Sequence, residues 1–217
     1  MSTIRELVRT RVRDQGDRPT CVAFAVSSFH ELWCEVVHLG KSRVELDLSE
    51  EFLFYGCKQL DALVNASGTT VVAASKWLET KGQCREELHP YQTAGPLLAV
   101  PSPAAFADAN TRTLGHFKRV PLTFERVSTT LRQRLPLVAV IELFRSARTP
   151  GKDGRLAMPA RGEHRIGLHA ILLVGSEADD VVFLNSWGDA WGEGGFGRFS
   201  SDYLTRHAKQ LWTVAKQ

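Results

Sequence analysis

Apolar positions in the first half of the chain recur at the spacing of buried helices. From Cys21 to Val37 they fall three or four residues apart on a wide face, which predicts a central helix with Thr20 as its N-cap. A second helix is predicted from Ser49 to about Cys57, because a serine followed by an acidic pair suits a helix start. A third helix covers Thr70 to Thr80 and ends at Lys81-Gly82.

The second half of the chain has the pattern of strands. Short apolar runs predict buried strands at Pro136–Ile141, His169–Val174 and Val181–Leu184, and Gly197–Ser200 is a further candidate. A short helix is predicted at Val127–Arg134. Because helices dominate the first half and strands the second, the pattern favours an α+β fold with two lobes and without a doubly wound repeat.

The length of the chain fits one sizeable domain. It has 217 residues, of which 43% are hydrophobic. A chain of this size can bury a stable core without disulfides or a structural metal. We expect a single domain over 1–217, with a helical lobe mainly at 21–95 and a β-rich lobe mainly at 96–217 together with the N-terminal segment. A turn is predicted between the two halves at Gly95-Pro96.

Charge and cysteine usage narrow the class of protein. A formal net charge of +3 is too small to argue for nucleic acid, and no apolar run approaches the roughly 18–20 residues of a membrane span. The N-terminus lacks the apolar core of a secretory signal, so we expect a cytoplasmic protein with free thiols, although export by another route stays open. No Cys-x-x-Cys pair is present, which argues against a metal site, and the four cysteines are Cys21, Cys34, Cys57 and Cys84.

Cys21 stands where a loop becomes a helix. A lone cysteine in a helix is usually a small buried hydrophobe, and Cys34, Cys57 and Cys84 keep that interpretation. At a helix N-terminus, however, the positive end of the helix dipole favours a thiolate. Gln15 lies six positions earlier, and its side-chain N–H together with the Cys21 amide would suit a developing oxyanion.

A base for such a thiol is expected at His169. This histidine opens an apolar strand, and Asn185 follows sixteen positions later at the end of the next strand. Two adjacent antiparallel strands would bring the two side chains together, so that Asn185 fixes the imidazole tautomer and Trp187 covers the hydrogen bond. His164 is the rival base, but it lies in a charged loop where exposure to solvent is expected.

The residues that carry this chemistry resemble the papain-like cysteine peptidases (peptidase C1). The matching segments are Gln15-Gly, Cys21-Val-Ala-Phe-Ala, Leu48-Ser-Glu-Glu, Leu88-His-Pro-Tyr, Gly167-Leu-His-Ala and Asn185-Ser-Trp-Gly-Asp-Ala-Trp-Gly-Glu-Gly-Gly-Phe. The resemblance implies a helical lobe and an antiparallel β-barrel-like lobe with the active site in the cleft between them. It implies Cys21 as nucleophile, His169 as base and acid, Asn185 as the orienting residue and Gln15 in the oxyanion hole, without a metal or an organic cofactor.

The chain departs from this family at several positions. Arg18 stands where secreted members have a disulfide cysteine, so Cys57 would lack its usual partner. We expect Arg18 to be an exposed turn residue, or else a positive group that lowers the pKa of Cys21 further. The chain is also expected to be a short form without an inhibitory prosegment.

Three residues are expected to contact the substrate. The glycine pair that usually binds the substrate backbone is not evident, and Gly68 is the nearest candidate. Leu168 precedes the histidine in place of the common Asp or Asn, and Trp187 lies beside the predicted base. These differences bear on specificity and leave the four predicted catalytic groups in place.

The function expected is endopeptidase cleavage of peptide bonds through a thioester acyl-enzyme. Two alternatives stay open. The same triad could serve a dedicated protein substrate by isopeptide cleavage or acyl transfer, or the fold could be a non-enzymatic module that binds peptides or proteins in its cleft. The expected partner is a peptide or protein substrate, a regulatory or inhibitor protein would also fit, and neither nucleic acid nor a membrane is expected.

Overall fold

The computed structural model describes residues 2–3, 12–37, 46–61, 63, 67–93 and 99–214. The turn predicted at Gly95-Pro96 lies outside these residues. Within the described part of the chain, no helix is long and apolar enough to cross a membrane.

Helices and strands follow one another in an order that separates a helical part from a strand-rich part. In chain order they are β1 (Ser2–Thr3), α1 (Cys21–Val37), α2 (Glu50–Leu60), α3 (Val71–Thr80), α4 (Pro103–Ala109), β2 (Phe117–Arg119), α5 (Phe124–Arg132), β3 (Leu137–Phe144), β4 (Arg165–Glu177), β5 (Asp180–Leu184), β6 (Phe196–Ser200), α6 (Ser201–His207) and β7 (Ala208–Val214). Two short 3₁₀ turns, Glu86–Leu88 and Arg145–Arg148, are also described.

The three helices predicted in the first half are confirmed. The hydroxyl of Ser49 accepts a hydrogen bond from the amide of Phe52, and that of Thr70 accepts one from the amide of Ala73. These side chains satisfy amide groups that have no partner within the helix, so both helices begin where the sequence indicates.

A seven-stranded antiparallel sheet forms the second half of the fold. Its strand order is β2-β7-β3-β4-β5-β6, and β1 pairs with β4. β4 is longer than the sequence predicts because it pairs with β3 on one side and with β5 on the other. In this register His169 lies opposite Ile141, and Leu172 lies opposite Leu184. The end of β5 therefore lies beside Leu172 in the middle of β4, three residues beyond His169.

Helix α1 connects the two parts of the fold. It packs on α2 and α3 on one side and on β3 and β4 on the other. Its residues from Val22 to Leu32 are buried, and the ring centroid of Phe29 lies 4.8 Å from that of Phe117 in β2. Because α1 is buried between the helical part and the sheet, its first residue, Cys21, lies at their junction.

Candidate active site

The loop before α1 is attached to the segment that follows β5. The backbone amide of Gln15 donates to the carbonyl of Ser186 at 2.9 Å, and the hydroxyl of Ser186 donates to Oε1 of Gln15 at 2.6 Å. A further backbone bridge joins Asp14 to Trp187. Gln15 is buried, with 6% of its surface exposed. The glutamine is therefore held against the strand lobe although it precedes a helix.

Cys21 is the first residue of α1 and is half-buried. Burial opposes ionisation of its thiol, but the hydrogen bond and the charge of His169, together with the amides of Ala170 and Val22, outweigh that effect. The pKa of Cys21 therefore lies below the ordinary value of a thiol.

His169 lies near the start of β4 and is buried. Its Nε2 lies 2.8 Å from Oδ1 of Asn185, and the backbone amide of Ser186 donates to the same oxygen at 2.9 Å. An atom that accepts from a backbone N–H is the amide oxygen, so Nε2 of His169 must be the donor in this contact. Nδ1 is then the ring nitrogen left to accept the proton of Cys21.

The pKa of His169 is raised above its ordinary value. Burial alone would lower it, but the hydrogen bond and charge of Cys21 and the hydrogen bond to Asn185 outweigh the burial. A thiol with a lowered pKa beside an imidazole with a raised pKa favours transfer of the proton from sulfur to nitrogen.

Trp187 flanks the imidazole. The centroids of its ring and of the His169 ring are 4.8 Å apart, with 34° between the ring planes. Behind it, the ring of Trp191 packs edge-on at 5.7 Å and donates its Nε1–H to the carbonyl of Ala147 at 3.1 Å. This tryptophan pair lines one side of the histidine with apolar surface.

A sequence model of the family described as "Papain family cysteine protease" matches residues 3–211 of this chain. The chain belongs to the papain family of cysteine proteases. It is 24% identical to an uncharacterized peptidase C1-like protein of Acanthamoeba polyphaga mimivirus, over 93% of this chain and 68% of that protein. It is also 24% identical to Peptidase 1 of Dermatophagoides farinae, over 88% of this chain and 57% of that protein. The chain thus spans less than two thirds of the length of that second relative.

The solved structure of xylellain, a cysteine protease from Xylella fastidiosa, is similar in fold. It superposes with a TM-score of 0.84 at 24% sequence identity, over 96% of this chain and 84% of xylellain. This likeness confirms the predicted fold class, a papain-like α+β fold with two lobes.

Of the remaining predicted site residues of the protease, one lies next to His169 and the other beside the loop before Cys21. Leu168 precedes His169 and is 53% exposed, whereas a Cβ built on Gly68 would lie 3.6 Å from the carbonyl oxygen of Pro19 in the loop before Cys21. The carbonyl of Gly68 accepts a hydrogen bond from Nζ of Lys58 at 3.1 Å.

His164, the rival base, lies in the exposed segment before β4. Its carbonyl accepts the amide of Arg145 at 3.2 Å. Of the two histidines, His169 is the one whose ring contacts both Cys21 and Asn185.

The prediction that Arg18 is an exposed turn residue is wrong. Only 10% of its side chain is exposed, and its guanidinium pairs with the buried carboxylate of Glu51.

The other cysteines fit the interpretation as apolar residues, because burial raises the pKa of Cys57 to about 12 and that of Cys34 to about 11. All four thiols are free.

Two residues of this site were missed by sequence reasoning. Ser186 orients the side chains of both Gln15 and Asn185, and Tyr91 donates its hydroxyl to the carbonyl of Gln15 at 2.8 Å. Ser186 follows Asn185 directly and could have been found from that position, whereas Tyr91 is far from Gln15 in sequence.

Among the described residues, no group of three or more His, Cys, Asp or Glu side chains is arranged to hold a metal ion.

Proposed function

We propose that this papain-family protease hydrolyses internal peptide bonds through a thioester on Cys21, with His169 as base and acid and Asn185 as the orienting residue. The observation that supports the proposal is the unbroken series of contacts from Cys21 to His169 and from His169 Nε2 to Asn185 Oδ1 at 2.8 Å. Membership of the family makes peptides or proteins the substrates.

The first half of the reaction forms the acyl-enzyme. The Cys21 thiolate attacks the peptide carbonyl carbon, a carbon–sulfur bond forms, and the carbonyl oxygen becomes an oxyanion. The amide of Cys21 and a side-chain N–H of Gln15 are the donors proposed for that oxyanion. When the intermediate collapses, the carbon–nitrogen bond breaks and the imidazolium of His169 gives its proton to the leaving amine.

The second half returns the enzyme to its starting state. His169 takes a proton from water as the water oxygen attacks the thioester carbon. The carbon–sulfur bond then breaks, which releases the acid and restores the Cys21 thiolate beside a protonated imidazole. Asn185 holds the ring in one orientation throughout both proton transfers.

The substrate is proposed to contact residues on both sides of the nucleophile. On the side of His169, exposed Leu168 and half-buried Trp187 would meet the leaving half of the peptide through apolar contacts. On the other side Gly68 would bind the substrate backbone. Since its carbonyl already accepts from Lys58, its N–H is the group available for that contact. A regulatory or inhibitor protein and a cytoplasmic location stay predictions.

The proposal is tested by labelling the thiol with an epoxysuccinyl probe and locating the adduct by mass spectrometry. We expect labelling of Cys21 in the wild type and none in Cys21→Ala. In His169→Ala labelling should fall sharply, because the thiolate is no longer stabilised. Cys57 and Cys84, which are buried, serve as internal controls in the same spectra. Labelling of Cys21 that does not depend on His169 would contradict the assembled pair.

Product analysis separates hydrolysis from the alternatives. Peptides incubated with the protease in ¹⁸O-labelled water, with and without an added amine, should yield new carboxyl termini that carry one ¹⁸O atom. Products joined to the amine and free of ¹⁸O would instead indicate acyl transfer. Binding of peptides by Cys21→Ala without any cleavage by a thiol-reactive wild type would indicate the non-enzymatic module.

A further inference from the structure

The side chain of Arg18 connects the loop before Cys21 to the helical lobe. Its Nη2 donates to Oε1 of Glu51 at 2.9 Å and its Nη1 donates to Oε2 at 2.5 Å, which is the bidentate geometry of a strong ion pair. Nη1 also donates to the carbonyl of Gln92, and the guanidinium carbon lies 4.8 Å from the ring centroid of Tyr91. Glu51 is buried, with 1% of its side chain exposed, and Arg18 is largely covered, with 10% exposed.

The backbone of Arg18 holds the proposed oxyanion donor. Its carbonyl accepts Nε2–H of Gln15 at 2.8 Å and the amide of Thr20, the residue before the nucleophile, also at 2.8 Å. The side-chain oxygen of Gln15 is held in turn by the hydroxyl of Ser186. Contacts at both atoms fix the plane of the Gln15 amide and leave its second N–H as the one free to meet an oxyanion.

Tyr91 completes this connection on the same side. Its hydroxyl donates to the carbonyl of Gln15 and lies 2.8 Å from the hydroxyl of Thr20. The amide of Gln92, the next residue, donates to Oε2 of Glu51 at 3.2 Å. Glu51 therefore binds both Arg18 and the turn at 91–92, so α2, that turn and the loop from 15 to 20 form one connected network.

We propose that Arg18 and Glu51 are a positioning pair, which holds the Gln15 amide in place for the oxyanion. The inference rests on the proposed function, since it concerns the same site. Neither side chain is proposed to touch the substrate, and both act through the backbone of Arg18. Glu51 is a buried residue of α2, and its carboxylate holds the guanidinium of Arg18, and with it the loop, in one position.

Loss of the pair should appear in kcat more than in KM. The oxyanion exists only after attack on the carbonyl, so a displaced donor weakens the transition state and leaves the bound substrate nearly unchanged. Removal of an oxyanion donor typically lowers kcat about 10²–10³-fold, and misplacement of a reacting group by about 1 Å can cost about 10²-fold. For Arg18→Lys, which keeps the charge without the bidentate contact, we expect a decrease in kcat of roughly 10- to 100-fold.

The deciding experiment is a double-mutant cycle on peptide hydrolysis with Arg18→Lys, Gln15→Ala and the double variant. If Arg18 acts through Gln15, then Arg18→Lys should lower kcat when it is introduced into the wild-type protein. It should have little further effect when it is introduced into Gln15→Ala. Arg112→Lys is the matched control, because Arg112 forms a bidentate pair with Asp108 elsewhere, at 2.7 and 3.0 Å, and its loss should leave kcat unchanged.

Alkylation of the variants by iodoacetamide separates this inference from the proposed function. Alkylation displaces iodide at an sp³ carbon and forms no oxyanion, so its rate at Cys21 should be the same in Arg18→Lys as in the wild type. An unchanged kcat in Arg18→Lys, or an equal decrease with and without Gln15, would overturn the positioning role while leaving the triad intact. A wild type that shows no His169-dependent thiol reactivity would instead contradict the proposed function.

Discussion

The amide oxygen of Asn185 lies 2.8 Å from Nε2 of His169 and accepts a second hydrogen bond from the backbone of Ser186 at 2.9 Å. The second contact prevents the amide from turning its NH₂ group towards the imidazole. It thereby fixes which nitrogen of His169 carries the proton when the ring is neutral. The same hydrogen bond contributes to the raised pKa of His169.

Asn185→Ala should lower activity and narrow its pH range. Without the acceptor at Nε2, the pKa of His169 falls, so the imidazolium loses its proton at a lower pH and the alkaline limb of kcat/KM moves towards acid. We expect kcat/KM at the optimum to fall about 10- to 100-fold, since one ring orientation is no longer enforced. A pH profile of peptide hydrolysis measures both effects.

Asn185→Asp is the control for that substitution. It keeps an oxygen acceptor and adds a negative charge, so the alkaline limb should stay in place or move to higher pH. An alkaline limb that does not move in Asn185→Ala would contradict the contribution of Asn185 to the pKa of His169.

The reactivity of the thiol should depend on pH in a direction set by both partners. The pKa of Cys21 is lowered and that of His169 is raised, and each shift favours the thiolate–imidazolium pair over the neutral pair. The rate of alkylation of Cys21 should therefore begin to rise at a pH below the ordinary thiol pKa of about 8.5. In His169→Ala the rise should move to higher pH, because burial then opposes ionisation of the thiol without the imidazole to offset it. Identical profiles for the two proteins would show that His169 does not stabilise the thiolate.

The site chemistry was predictable where the chain itself supplies a local signal. Cys21 begins a helix with an apolar face, and β4 and β5 are apolar runs joined by a short polar turn, so their antiparallel pairing follows. That pairing places His169 beside Asn185. Cys21, His169 and Asn185 could therefore be predicted without knowledge of contacts elsewhere in the fold.

Other features depend on partners far along the chain. Arg18 reads as a turn residue because Glu51, its partner, is 33 positions away and no periodic pattern connects them. Strand β7 was missed for two reasons. Its partners β2 and β3 are distant in sequence, since Trp212 of β7 pairs with Val138 of β3, more than 70 positions earlier. Its buried and exposed residues also do not alternate regularly. Helix α4 is short and alanine-rich, so its apolar face gives little signal.

Gln15→Ala should lower kcat with little change in KM. The substitution removes the side-chain donor proposed for the oxyanion, and loss of one such donor typically lowers kcat about 10²–10³-fold. Ser186→Ala removes only the hydroxyl that holds Oε1 of Gln15 and keeps the backbone bond to Asn185, so its effect should be smaller and in the same direction. Steady-state kinetics on one peptide measure both variants, and an effect confined to KM would argue against a role in the oxyanion hole.

Two glycines in the turn between β5 and β6 test how closely the backbone is packed beside the tryptophan pair. Gly192 and Gly194 have nearly the same left-handed conformation, with φ of 59° and 61°. A Cβ on Gly192 would lie 2.4 Å from the carbonyl oxygen of Phe196 and 2.9 Å from Cα of Gly154, whereas a Cβ on Gly194 would meet no atom within 4 Å. An alanine at either position would carry the same backbone strain. The two positions differ in the room available for its methyl group.

Substitution by alanine should therefore destabilise the two positions to different extents. Gly194→Ala should lower the free energy of unfolding by about 1–2 kcal/mol, the cost of a left-handed alanine. Gly192→Ala should lower it by roughly 1–3 kcal/mol more, because the backbone around Phe196 must shift to admit the methyl group. Urea unfolding measures the difference, and equal losses would mean that the turn relaxes freely. Because Gly192 follows Trp191, whose ring packs on Trp187, a shift of this turn should also lower activity in Gly192→Ala while Gly194→Ala keeps it.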